Sequence, residues 1–195
     1  MSDRIDEFLT RLGARDNLDQ VAKEIKACQR CELRQNTTRP VPGFGSVGAK
    51  YFLIGEAPGA SEDKTGVPFV GAAGRRLDKL LALASIDIND CYLSNVCRCQ
   101  PPSNRDPRKK EIRTCVGFLW REIMLVKPQY LVTLGSVPLS LFCPYGIRQM
   151  HGCMFEFDLD EEKPLVIPSD SKTKKRGEPK EAYAHILSGL FISSD

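Results

Sequence analysis

One stretch, from Lys50 to Gly71, constrains the fold of this chain more than any other. It opens with Tyr51-Phe52-Leu53-Ile54, a continuous apolar run of the kind that forms a strand buried on both faces. Gly55, Pro58 and Gly59 end the run abruptly, and glycines at such a point let the backbone turn tightly and approach a ligand closely. We therefore expect a central strand with a site at its carboxyl end.

The remainder of this stretch supplies side chains for such a site. Glu56 follows the strand directly, and Thr65-Gly66-Val67-Pro68-Phe69 predicts a stiff loop that can hold Phe69 over the same place. A helix is expected from about Gly71 to Ala84. A glycine turn after an apolar strand is commonly only a connection in an α/β domain, so this stretch does not define a function by itself.

The rest of the chain alternates between strand and helix patterns. Strands are expected at Cys91–Ser94, Tyr130–Leu134, Met154–Phe157 and Leu165–Ile167. Helices are expected at Ile5–Leu12, at Leu18–Ala27 after Asp16 or Asn17, from Asp106 as cap with Pro107 in the first turn to Val126, at Ser136–Phe142 and at Glu181–Ile192. This alternation predicts the α/β class, with a mostly parallel sheet covered on both faces.

Length and composition bound the organisation of the chain. The 195 residues, 42% of them hydrophobic, suit one domain over residues 1–195, with an N-terminal helical arm ahead of the sheet. No apolar run reaches the roughly 18 residues of a membrane span, and the N-terminus is charged rather than signal-like. We expect a monomer that does not contact membranes and acts in the cytoplasm, or in the nucleus where the source has one.

Positive charge is clustered rather than large overall. The net charge of +3 does not by itself indicate nucleic-acid binding. Two groups of basic residues are candidates for phosphate contacts or for ordinary solvated surface: Arg105, Arg108, Lys109 and Lys110, and then Lys172, Lys174, Lys175 and Arg176.

The chain has eight cysteines, and without a secretory signal they indicate metal ligands, redox thiols or buried thiols rather than a disulfide framework. Cys28 and Cys31 form a C-x2-C pair at a predicted helix end, and Cys99 and Cys115 are separated by fifteen residues. Four such thiolates suit structural zinc or an iron–sulfur cluster, and their spacing does not decide between the two. Cys97 competes with Cys99 for the third position.

Several of these motifs together resemble the family 4 uracil-DNA glycosylases. The resemblance rests on the Gly55-Glu56-Ala57-Pro58-Gly59 turn, the Glu62–Gly71 loop, Ser94-Asn95 running into Cys99-Gln100-Pro101-Pro102-Ser103-Asn104-Arg105, and the four-cysteine spacing. It covers roughly residues 27–135. It implies a three-layer α/β/α sandwich with a central parallel sheet, a [4Fe–4S] cluster on Cys28, Cys31, Cys99 and Cys115, and excision of uracil from single- or double-stranded DNA.

The same resemblance implies roles for the residues of the predicted site. Phe69 would stack on a base flipped out of the helix, and the Asn95 amide would accept from uracil N3–H and donate to O4. Glu56, with the backbone of Gly55 and Ala57, would line the uracil and position the attacking water. Outside the resemblance, Phe69 reads equally as a core aromatic and Asn95 as a turn-capping amide.

One departure from the family lies near the C-terminus. Family members carry a strand ending in His-Pro-Ser or His-Pro-Ala followed by leucines, whereas this chain reads Leu165 to Lys172 as LVIPSDSK, which puts Ile167 at the histidine position. His151 could supply an imidazole from a loop, and His185 lies in the predicted closing helix. The rival functions are a nucleic-acid-binding or damage-sensing relative without excision, a glycosylase for another lesion, and a zinc-stapled nucleotide-binding protein.

Overall fold

The computed structural model describes residues 17–156 and 167–168 of the chain, with backbone alone at 155–156 and 167–168. Its helices are α1 (Leu18–Ala27), α2 (Ala60–Thr65), α3 (Ala72–Leu83), α4 (Lys109–Val126), α5 (Ser136–Leu139) and α6 (Ile147–Met150). Its strands are β1 (Tyr51–Gly55), β2 (Cys91–Asn95), β3 (Tyr130–Thr133), β4 (Phe155–Glu156) and β5 (Ile167–Pro168). The predicted helices at 5–12 and 181–192, and the basic group at 172–176, lie outside the described residues.

The apolar run that begins at Tyr51 forms β1, and every residue of this strand is buried. It is the centre of a three-stranded sheet in the order β2-β1-β3, and both neighbours run parallel to it. Gly55 at the end of β1 pairs with Asn95 at the end of β2. The prediction of a parallel sheet with a strand end at Asn95 is therefore confirmed.

Helices cover both faces of this sheet, because successive β1 side chains point in opposite directions. Phe52 and Ile54 enter a core cluster with residues of α1 and α4, whereas Tyr51 and Leu53 enter a second cluster with residues of α3. The result is the α/β/α arrangement of three layers that the resemblance implied.

The helix α1 begins at the cap that the sequence predicted. An ion pair from the middle of α1 links it to α4. Asn17 is the N-cap, and its side chain accepts the Gln20 N–H at 2.9 Å. Arg121 of α4 forms an ion pair with Glu24, which lowers the pKa of that carboxyl through hydrogen bonding and charge. Cys28 caps the C-terminus of α1, so the C-x2-C pair follows this helix directly.

The start of α4 differs from the prediction. The helix begins at Lys109 rather than at Asp106. The reason is Glu111, whose carboxylate accepts the Arg108 N–H at 2.6 Å and also pairs with the Arg105 guanidinium at 2.6 Å. A carboxylate in the first turn thereby caps the helix from inside, and residues 106–108 stay extended or turned before it.

A loop covers one edge of the sheet. Phe44 forms an isolated antiparallel bridge with Leu93 of β2, in which Phe44 N donates to Leu93 O at 2.9 Å and Leu93 N donates to Phe44 O at 2.8 Å. Farther along the chain, β4 and β5 pair antiparallel to each other.

Within the described residues, no helix combines the length and the hydropathy needed to cross a bilayer.

Candidate functional site

The carboxyl ends of β1 and β2 bring together three of the predicted site residues. A Cβ atom added to Gly55 would lie 2.4 Å from Asn95 Oδ1 and 2.8 Å from Phe69 Cζ. Phe69 and Asn95 therefore both lie against Gly55, and we call these three residues the strand-end site. A side chain at position 55 would occupy the space that the amide and the ring now share.

The backbone of the strand-end site is fixed by hydrogen bonds that continue beyond the strands. Val96 N donates to Gly55 O and Cys97 N donates to Glu56 O, each at 2.9 Å. Asn95 itself is only 4% exposed, so its amide lies in a largely water-free environment. A buried amide held by a fixed backbone suits the reading of one hydrogen-bonding pattern.

Phe69 has a backbone conformation that bulky residues rarely adopt. Its φ of 57° lies in the left-handed region. Gly74 of α3 makes this possible, because a Cβ at Gly74 would lie 1.6 Å from the Phe69 carbonyl oxygen. Strained residues of this kind concentrate at functional sites, where the surrounding structure holds them.

Glu62 joins the two ends of the loop that carries Phe69, and the sequence analysis did not identify it. Its carboxylate is buried and accepts the Gly59 N–H at 3.1 Å and the Gly71 N–H at 2.7 Å. The next residue, Asp63, accepts backbone N–H groups of Thr38 and Arg39. The signal was present in the sequence, since a Glu three residues after Gly59 is the pattern of a helix cap.

Glu56 follows β1 and is half-buried. Burial raises the pKa of its carboxyl, and the negative charge of Asp106 raises it further. Ala57 is also half-buried and packs against the core cluster shared by α1 and α4. The parts that Glu56 and Ala57 play in the site stay predictions.

A second site lies on the α1 and α4 side of the sheet. One cavity is lined by all four predicted cysteines, Cys28, Cys31, Cys99 and Cys115, and we call it the cysteine cavity. Ile25, Leu33 and Phe118 form its apolar wall, and Arg34, Arg98 and Thr114 complete it. The thiols come from the end of α1, from the segment after β2 and from the interior of α4, so the fold joins halves that lie far apart in sequence.

Cys97 lies beside this cavity without lining it. The residue is fully buried, and its thiol donates a hydrogen bond to Cys115. That hydrogen bond, together with the Arg98 charge, lowers the pKa of the Cys115 thiol. Burial raises the pKa of Cys31 and raises that of Cys99 to about 12. The surroundings of the Cys115 sulfur thus favour its thiolate form.

Donor groups surround the sulfur atoms of the cysteine cavity. The Arg98 backbone N–H donates to Cys115 Sγ at 3.3 Å, and Arg30 Nε donates to Cys28 Sγ at 3.4 Å. Arg30 also stacks over the Phe118 ring at 4.2 Å. Within the described part of the chain, no three His, Cys, Asp or Glu side chains are close enough to bind one metal ion. The four sulfur donors that line the cavity are thus accompanied by positive charge from Arg30 and Arg98.

A buried ion pair connects the two sites. Arg98 is 2% exposed, and its Nη2 atom lies 2.9 Å from Oε2 of Glu122, which also accepts the Ser94 hydroxyl at 2.6 Å. Ser94 precedes Asn95 in the strand-end site, and Arg98 precedes Cys99 in the cysteine cavity. Sequence patterns do not indicate this pair, because Arg98 follows β2 in an irregular segment and Glu122 lies in the middle of α4.

Ion pairs also use part of the basic group at residues 105–110. Arg105 forks on the Glu111 carboxylate at 2.9 Å and 2.6 Å, and this hydrogen bonding lowers the pKa of Glu111. Arg108 lies 3.6 Å from Glu32 across exposed surface. Lys109 and Lys110 are exposed at the start of α4. The lysines are thus better placed than Arg105 to contact an external anion.

These features define an α/β/α protein with a residue constellation at the strand ends and a four-thiol cavity beside it. The sequence profile of the Uracil DNA glycosylase superfamily matches residues 42–188, which is most of the chain. The chain therefore belongs to that superfamily, in its type-4 branch.

Three relatives, each named type-4 uracil-DNA glycosylase, illustrate the similarity. The protein of Archaeoglobus fulgidus is 42% identical over 62% of this chain and 60% of its own length. That of Saccharolobus solfataricus is 42% identical over 79% of this chain and 74% of its own length. That of Sulfurisphaera tokodaii is 35% identical over 79% and 73%, respectively. The chain thus spans less than two thirds of the first relative and about three quarters of the other two.

Proposed function

We propose that this protein is a uracil-DNA glycosylase of base-excision repair, which hydrolyses the N-glycosidic bond of uracil in single- or double-stranded DNA. The names of its relatives support this activity. The observation that carries the proposal is the approach of both Phe69 and Asn95 to Gly55, at the paired ends of β1 and β2.

Base recognition would divide between a ring and an amide. Phe69 stacks on the flipped base, a contact worth about 1–3 kcal/mol per base. Asn95 accepts from uracil N3–H and donates to O4, and cytosine presents the opposite pattern at both atoms. The burial of Asn95 favours discrimination, because a mismatched base would leave a buried polar group unpaired.

Catalysis would depend on Glu56 and on fixed dipoles. Glu56, with the backbone of Gly55 and Ala57, would line the uracil and hold the attacking water. Ala57 stands where other members of the wider superfamily have Asp or Asn, so activation of the water by a second side chain is absent at this position. Cleavage then relies on stabilising an oxocarbenium-like sugar and the departing uracil anion.

We also propose a [4Fe–4S] cluster held by Cys28, Cys31, Cys99 and Cys115. The four thiols that line the cysteine cavity fit such a group, because iron–sulfur clusters are held by four cysteine thiolates. When bound, the cluster would supply a cross-link between the end of α1, the segment after β2 and α4. Neither Phe69 nor Asn95 lines this cavity, so we assign the cluster a structural part.

We also propose that the protein is one domain over residues 1–195, that it is a monomer, and that it acts in the cytoplasm. The cysteines support the last of these. All eight are free thiols in the structure, as is usual in a reducing compartment.

The test is uracil excision under saturating enzyme, on single- and double-stranded oligonucleotides that contain one uracil. A missing preorganised donor typically costs about 10²–10³ in rate, so with Ile167 at the family's histidine position we expect slow but measurable excision. Ile167→His should raise the single-turnover rate and leave DNA affinity nearly unchanged. If both proteins bind uracil-containing DNA and neither excises the base, the damage-sensing alternative replaces the glycosylase.

A further inference from the structure

Two arginines that line the cysteine cavity each have a buried side-chain donor without a partner among the described residues. Arg34 and Arg98 both line the cavity. The Nε atom of each is buried and has no hydrogen-bond partner among the described residues. Few other buried side-chain nitrogen or oxygen atoms share this condition, so the coincidence of two of them at one cavity calls for a common cause.

Each guanidinium is held at its far end by the protein. Arg34 Nη1 donates to the Thr37 carbonyl at 2.8 Å. Arg98 uses Nη1 for the Ser94 hydroxyl and Nη2 for Glu122. Both terminal nitrogens of Arg98 and one of Arg34 are thus bonded to the protein, whereas the buried Nε–H of each has no partner among the described residues.

A buried N–H without an acceptor is unfavourable, so its acceptor is expected in the cavity itself. The cavity wall offers the sulfur atoms of four cysteines and otherwise apolar or donor groups. When thiolates bind an iron–sulfur group, the whole assembly is anionic, and its sulfur atoms accept hydrogen bonds. Two guanidinium groups are therefore matched to this occupant in charge and in donor capacity.

We propose that Arg34 and Arg98 are outer-sphere partners of the cofactor, whose Nε–H groups donate to sulfur atoms of the iron–sulfur group held by the four cysteines. This inference rests on the proposed cofactor. Positive charge and hydrogen bonds to sulfur stabilise the more negative, reduced state, so the two arginines raise the reduction potential. They also retain the group, since partners of this kind orient the ligands of a metal.

Arg34 is the primary test, because its terminal nitrogen contacts only a backbone carbonyl and its removal leaves no buried charge behind. Loaded wild type, Arg34→Gln and Arg34→Lys are compared by midpoint potential and by the rate at which an iron chelator bleaches the visible absorbance. Arg34→Gln should lower the potential and release iron about 10–100-fold faster, the usual loss in affinity for such partners. Arg34→Lys keeps the charge without the Nε–H, so it should restore the potential more than the retention.

Arg98 needs a paired variant, because its removal alone leaves the Glu122 carboxylate buried without its counter-charge. Arg98→Met combined with Glu122→Gln removes both charges and keeps an acceptor for the Gly43 N–H, which Glu122 now accepts at 3.0 Å. We expect the same two changes as in Arg34→Gln. Arg121 lies on the same helix as Glu122 but pairs with Glu24. Arg121→Gln is therefore the control, and it should change neither the midpoint potential nor the rate of iron release.

The outcomes separate the inference from the proposed cofactor. If wild type contains iron and sulfide but the Arg34 and Arg98 variants match it in potential and in release rate, the inference fails and the cofactor stands. If wild type contains stoichiometric zinc and no sulfide, the proposed cofactor fails and the inference falls with it. Changes in the variants that Arg121→Gln reproduces would reduce the effect to general charge and overturn the inference.

Discussion

The strand-end site and the cysteine cavity share the segment from Asn95 to Cys99, but the fold builds them differently. The strand-end site follows from strand register, because Gly55 and Asn95 are neighbours as soon as β1 pairs with β2. The cysteine cavity requires α1, the end of β2 and α4 to pack together. The pairing of Gly55 with Asn95 therefore needs only the sheet. The cysteine cavity forms only when two helices have also packed against the sheet.

The largest effect should come from breaking the cysteine cavity. Cys115→Ala should lose bound iron and most of the soluble protein, because the binding free energy of a structural metal group contributes directly to folding. Iron content and soluble yield measure the change, with Cys143→Ala as a control at a buried cysteine outside the cavity. If Cys97→Ala loses iron and Cys99→Ala keeps it, the proposed ligand set is wrong.

Breaking the strand-end site should instead abolish chemistry and leave the fold intact. Asn95→Asp has nearly the same volume but lacks the amide donor, so single-turnover excision should fall by about 10²–10³. Asn36→Asp, at an exposed amide, is the matched control. An unchanged rate for Asn95→Asp, with cofactor content equal to wild type, would remove base reading from this site.

Gly74 of α3 and Gly117 of α4 are two helical glycines at which the same substitution, Gly→Ala, should have opposite effects on stability. Gly74→Ala places a methyl group against the Phe69 carbonyl and should destabilise the protein by about 1–3 kcal/mol. Gly117→Ala meets no atom within 4 Å and should stabilise α4 by about 0.5–1 kcal/mol. Denaturant unfolding measures both free energies. Equal effects at the two positions would mean that the left-handed Phe69 does not depend on Gly74.

The smallest effect concerns pH. Excision that needs ionised Glu56 should decline as the pH falls through its raised pKa. Asp106→Asn removes a negative neighbour, which lowers the pKa of Glu56 and moves the acidic limb of kcat/KM to lower pH. A pH profile of excision gives the direction. If the acidic limb of kcat/KM is at the same pH in Asp106→Asn as in the wild type, the decline is due to a group other than Glu56.

The sequence predicted most of the sheet, because a buried parallel strand leaves a clear apolar run between glycines or polar turns. It placed Tyr51, Asn95 and Tyr130 correctly at strand boundaries. The strand-end site was predictable for the same reason, since residues at the ends of paired strands meet. The gathering of the four cysteines followed from the family resemblance, because spacing alone left zinc and Cys97 open.

The errors and omissions arise where side chains decide the outcome. The start of α4 moved to Lys109 because Glu111 acts as its cap, and Glu111 also takes Arg105 from the predicted nucleic-acid contact. The short helix α2 was not predicted, although its Glu62 holds the Phe69 loop. The Arg98–Glu122 pair escaped notice because its partners lie 24 residues apart. Ion pairs between residues that lie far apart in the sequence produce no periodic pattern from which they could be predicted.

The bridge between Phe44 and Leu93 has a consequence for how this protein behaves at high concentration. An edge strand with open N–H and C=O groups is a template on which a second molecule can add a strand and start an aggregate. The Phe44 backbone occupies both groups of Leu93, and the segment from Gly43 to Gly48 is short and rich in glycine. Within the described residues, this short segment shields the edge of β2. We expect that a proteolytic cut within it would expose the N–H and C=O groups of β2 to pairing with a second molecule.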